Sequence, residues 1–181
     1  MLQELTSGRE PGRGLEAAPT FKKLRIVLIK PSKYDDEGYV IRFWKGVLPS
    51  NTLNVLNGLT EEVRKSGIFG DLKIEIVTFD ETTEKVPVKK IIRWSRRGGV
   101  KIIVGLVGVQ TNQFPRAFDL GRQFRAAGLD VIMGGFHTSG TINMLGEQEP
   151  DIQALIRESI SIVSGEVEES WGEILSDALH R

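Results

Sequence analysis

The chain contains no cysteine. Disulfides, thiolate metal sites and cysteine-held iron–sulfur clusters are therefore excluded from it. It has no surplus of either charge: 24 Lys and Arg face 24 Asp and Glu, so no net basic field gathers nucleic acid. No apolar run is long enough to span a bilayer, and the N-terminus lacks the apolar stretch of a signal peptide. A cytoplasmic location, with no membrane partner, is the expectation. Histidine is scarce, with two in 181 residues. What remains is an ordinary globular composition, 40% hydrophobic and 27% charged, in a chain long enough for one sizeable core.

Residues 1–23 mix Gly, Pro, Arg and Glu without a period and read as a disordered leader. Residues 24–181 read as one domain. Leu24 to Ile29 form a nearly continuous apolar run closed by Pro31, as expected of a strand buried on both faces. A long loop follows, then a helix capped by Ser50 or Asn51 with Leu53, Leu56, Leu59 and Val63 at helical spacing. "LKIEIVTF" alternates as a second strand. Pro87 opens a basic helix through Ile91, Ile92 and Trp94 that stops at Gly98-Gly99. "VKIIVGLVG" is a third strand, "FPRAFDLGRQFRAAG" a helix and "LDVIMGG" a fourth strand. "EPDIQALIRESI" is a short helix and "SISIVSG" a fifth strand. "EVEESWGEILSDAL" is a last helix with Glu166, Glu168 and Glu169 in its first turn.

Alternation of strands and helices predicts an α/β fold of the flavodoxin-like (Rossmann-like) kind. Its doubly wound parallel sheet would hold five strands in the order 2-1-3-4-5. Ligands of such sheets bind beyond the carboxyl ends of the strands. The loops there hold aromatics after strand one, including Tyr34, Tyr39, Phe43 and Trp44. These suit a large flat ligand or pack on the domain's own edge. Gln110, Thr111 and Asn112 follow strand three and suit ligand amides, phosphates or helix capping. Gly134, Gly135 and a loop histidine, His137, follow strand four. The glycines let another surface approach the backbone or serve a tight turn alone. Gly165 and Glu166 follow strand five, where Glu166 can also cap a helix.

The string "QTNQFPRAFDLGRQFRAAGLDVIMGGFHTSG", followed at a distance by "VSGEVEESWGEIL", resembles the N-terminal cobalamin-binding domain of B12-dependent radical S-adenosylmethionine proteins. "IVLIKPSKYDDEGYVIRFWKGVLPSNTL" fits the opening strand and loop of that family. The resemblance implies a corrin over the strand ends with its nucleotide tail passing toward the sheet. Carried over, the contacts are Thr111, Gly134, Gly135, His137, Gly165 and Glu166, with Gln110 and Tyr39 beside them. It also implies a radical domain as partner, in cis or in trans. That domain's iron–sulfur cluster needs three close cysteines and this chain has none, so no catalysis is expected from it alone.

Methionine synthase-like cobalamin domains carry Asp-x-His-x-x-Gly after strand one, and this chain has no histidine there. His137-x-x-Gly140 imitates half of that motif after strand four, with Gly135 where the motif has Asp. A ligating imidazole needs such an orienting partner. The expectation is base-off cobalamin without a histidine on cobalt. Two rivals stay open. One is a flavin or nucleotide binder, although no Gly-x-Gly-x-x-Gly follows strand one. The other is an interaction module without cofactor, docking through its aromatic loop. A phosphoacceptor receiver domain is excluded, because strand three ends without an Asp.

Overall fold

The computed structural model describes residues 21–44 and 50–180. Residues 1–20 of the expected leader, and part of the long loop after strand one, lie outside the described residues. Five parallel strands form one sheet in the order β2-β1-β3-β4-β5. They are β1 (Lys23–Lys30), β2 (Lys73–Asp80), β3 (Val100–Leu106), β4 (Asp130–Gly134) and β5 (Ser161–Val163). The helices are α1 (Asn51–Ser66), α2 (Val88–Ser95), α3 (Phe114–Ala126), α4 (Phe136–Leu145), α5 (Pro150–Arg157) and α6 (Trp171–Leu179). This is the flavodoxin-like α/β fold.

The apolar run of β1, broken only by Arg25, is long because both faces are covered, and its buried residues divide strictly by parity. Leu24, Ile26 and Leu28 pack with Leu53 and Leu56 of α1 and with Trp171, Leu175 and Leu179 of α6. Val27 and Ile29 pack on the other face with Ile91 of α2, Leu120 and Phe124 of α3, and Leu155 of α5. Period-two alternation sends successive side chains to opposite layers, so one strand feeds two cores. Ser50 caps α1, its hydroxyl accepting from the Leu53 N–H, and Gly67 ends the helix in the left-handed conformation.

The structure corrects two boundaries. The segment after β4 is helix α4, not a loop, so His137 lies in a helix. Glycines bracket α4 at Gly135 and Gly146. It carries no clear apolar stripe, because its buried residues are the polar His137 and Thr138 while Phe136, Met144 and Leu145 are exposed. The last helix starts at Trp171, so Glu166, Glu168 and Glu169 precede its first turn. A turn in which the Ser170 N–H bonds the Val167 carbonyl occupies that stretch instead. Among the described residues no helix is long and apolar enough to cross a membrane.

Candidate functional site

Parallel strands end together, and the loops leaving them diverge to the two helix layers. A crevice opens there. In this chain it deepens into a cavity of about 380 Å³ between the start of α1, the ends of β3, β4 and β5, and the start of α6. That volume falls within the range of about 300–1,000 Å³ typical of small-molecule sites. Leu56, Leu106, Val107, Ile132, Val163 and Trp171 make its walls apolar. Asn51, Thr52, Gln110, Glu166 and Glu168 supply its polar side chains. No Lys, Arg or His is among the described residues that line it. Trp171 lines one wall, and its indole N–H donates to Thr60 Oγ1 at 2.9 Å. Thr60 in turn donates to the Leu56 carbonyl at 2.6 Å.

The floor between β3 and β4 is a locked pair of loops. The Val109 N–H donates to the Gly134 carbonyl at 3.2 Å, and the His137 N–H to the Val109 carbonyl at 2.9 Å. Gly135 lies between these two bonds with φ at 147°. A Cβ there would stand 2.2 Å from Val109 N. The glycine is therefore required by the chain's own backbone. Gly135 also lines the cavity, so this local requirement stands beside the expectation that a ligand passes close to it. Gly134 has its own neighbour, the Val163 carbonyl, at 3.3 Å from an added Cβ.

Five of the residues singled out from sequence come together at the cavity: Gln110, Gly134, Gly135, Gly165 and Glu166. Three do not line it. Thr111 is exposed in a single 3-10 turn (Thr111–Gln113) that leads into α3. Tyr39 is exposed on the loop after β1, as are Phe43 and Trp44, so these aromatics do not pack on the domain's own edge. His137 is buried, its Nε2 3.1 Å from Asp151 Oδ2 and its ring 4.3 Å from that of Phe114. Sequence reasoning missed Asn51, Thr52 and Trp171, which reach the cavity from α1 and α6. The polar pair opening α1 was the available signal. Among the described residues no group of three His, Asp or Glu is placed to hold a metal ion.

A second polar cluster shares no residue with the cavity lining; Tyr34 was singled out from sequence, whereas Glu81, Arg116 and Asp119 were missed. Glu81 is fully buried at the end of β2 and takes a bidentate bond from Arg116 of α3, with Nη2 to Oε1 at 2.6 Å and Nε to Oε2 at 3.0 Å. It also accepts the Ser32 N–H at 3.2 Å. The Tyr34 hydroxyl donates to Asp119 at 2.6 Å and accepts from Arg116 at 3.3 Å. Burial, then the bond to Asp119, pushes the Tyr34 phenol above its ordinary pKa. Burial opposes the Arg116 charge, but the bonds to Glu81 and Tyr34 outweigh it and hold the guanidinium above its ordinary pKa. This cluster ties the root of the post-β1 loop to β2 and α3.

Comparison with protein-family models, with curated proteins and with solved structures finds no match to this chain.

Proposed function

We propose that this domain binds a cobalamin, with the nucleotide tail in the cavity and the corrin over the strand ends. The observation that carries the reading is the chemistry of the cavity: apolar walls, a rim of neutral amide and hydroxyl groups with two carboxylates, and no cation among the described lining residues. Di- and triphosphates and flavin phosphates call for cations or a nest of backbone N–H groups. A corrinoid presents neutral amide side chains, a flat apolar base and only one phosphodiester. Apolar walls suit that base, and Asn51, Thr52, Gln110 and Glu166 suit the amides. Bound cobalamin supplies cobalt–carbon chemistry. The chain's residues hold and shield it, and the reaction belongs to a radical domain in cis or in trans.

His137 fits a lower-face cobalt ligand poorly. It does not line the cavity, and its Nε2 is engaged by Asp151. Base-off binding without a protein imidazole remains the proposal. The test is spectrophotometric titration with hydroxocobalamin, then desalting. About one equivalent should stay with each chain. Val55→Trp, placed at the half-exposed α1 residue lining the mouth, should weaken retention while circular dichroism stays native. Retention of flavin mononucleotide with no corrinoid bound would sink the proposal and favour the flavin reading.

A further inference from the structure

The chain's charges balance in total but not in place. Most cations of the sheet and of α3 are paired: Lys23 and Arg25 with Glu75, Lys30 with Asp80, Lys101 and Arg125 with Asp130, Arg116 with Glu81. Helix α2 and its flanks differ. Lys85, Lys89, Lys90, Arg93, Arg96 and Arg97 are all exposed. None of the six makes an ion pair among the described residues. At 3.6 residues per turn, positions 89, 93 and 96, with 90 and 97 beside them, fall on one side of the helix line. Ile91 is turned into the core, and Val88, Ile92 and Trp94 pack against it. A merely solvated helix face usually interleaves both signs. This stripe has no carboxylate from residue 85 to 97.

From this stripe we infer a docking surface for an acidic segment of a partner protein. The α2 helix of eight residues is about 12 Å long, and its cations recur about once per turn. That matches carboxylates spaced along one short peptide segment. A nucleic acid duplex or a bilayer reaches past so short a stripe, and the exposed Glu84 stands at its N-terminal edge. The stripe also exposes no aromatic for stacking on bases and no apolar side chain for insertion among lipids, since Trp94 lies between Arg25 and Lys90. Helix α2 covers the sheet face opposite α1 and α6. A partner docked there leaves the cavity mouth open, so docking and small-molecule binding proceed independently.

The test uses the full chain and a fluorescein-labelled oligoglutamate peptide, followed by anisotropy at low and at moderate salt. Binding at low salt that weakens as salt rises is expected. The double variant Lys89→Glu/Arg93→Glu should lose about tenfold in affinity or more, since two attractions become two repulsions. A control variant, Lys33→Glu/Lys65→Glu, carries the same charge change elsewhere and should bind as the wild type does. Equal weakening in both variants, or no binding by the wild type, would overturn the inference. Tighter binding of duplex DNA or of phosphatidylserine vesicles through the same residues would overturn it in favour of those partners.

Discussion

Replacing Gly135 by alanine tests whether the loops after β3 and β4 are locked by backbone contact. An added Cβ stands 2.2 Å from Val109 N and 2.8 Å from both Gly108 C and Val109 O. These are main-chain atoms held by two hydrogen bonds, so no flexible side chain can swing away. The φ of 147° adds strain that L side chains resist. Such a backbone conformation costs about 1–3 kcal/mol in a residue with a Cβ. Parting the two loops costs about 1–3 kcal/mol more, as overpacking does. A loss of about 3 kcal/mol would lower Tm by about 6–12 °C in a chain of this size. Urea unfolding followed by circular dichroism measures it directly. Gly134→Ala is the control: its nearest new contact is 3.3 Å, and its expected cost is about 1 kcal/mol or less. A Gly135→Ala protein within about 0.5 kcal/mol of wild type would refute the reasoning. So would Gly134→Ala being the worse of the two.

Other outcomes follow from the same structure. Arg116→Met strands the buried Glu81 carboxylate and should cost about 3–5 kcal/mol, with most of it recovered in Glu81→Leu/Arg116→Met, both read by thermal unfolding. Bonds from Lys23 and Arg25 hold Glu75 at about 2, below its ordinary 4.5, so its contribution is full above pH 4.5 and lost as pH falls toward 2. The stability gap between wild type and Glu75→Gln should accordingly shrink over that window in acid titrations. Cobalamin should quench the fluorescence of Trp171 at the cavity wall, and Trp171→Phe should remove most of that response in a stopped titration. Electron paramagnetic resonance of the Co(II) form should show no protein nitrogen splitting, in wild type and in His137→Ala alike. Splitting that vanishes in the variant would make His137 the ligand.

The sheet was legible because strands buried on both faces write nearly continuous apolar runs, as Leu24 to Ile29 do around Arg25. Helix α4 was not. It holds Gly140 and three β-branched residues, and with polar His137 and Thr138 as its buried side no period marks it. The cavity's position followed from topology, and five of its residues from the loops at the strand ends. Side-chain direction did not follow. Thr111 and His137 sit in the expected segments, yet a 3-10 turn and a helix aim them elsewhere. The Glu81–Arg116 pair was unreadable, because "FDETTEK" looks like a solvated turn and its partner lies 35 residues away.

The bond between Trp171 and Thr60 acts as a clasp. It joins α6 to α1 at one wall of the cavity, and Thr60 is itself fastened one turn back to Leu56. The spacing of the two helices is therefore set by a side-chain bond as well as by apolar packing. Trp171→Phe would keep most of the aromatic plate and lose the clasp, while Thr60 kept its bond to Leu56. The wall would then be held by contact alone and should give way more easily.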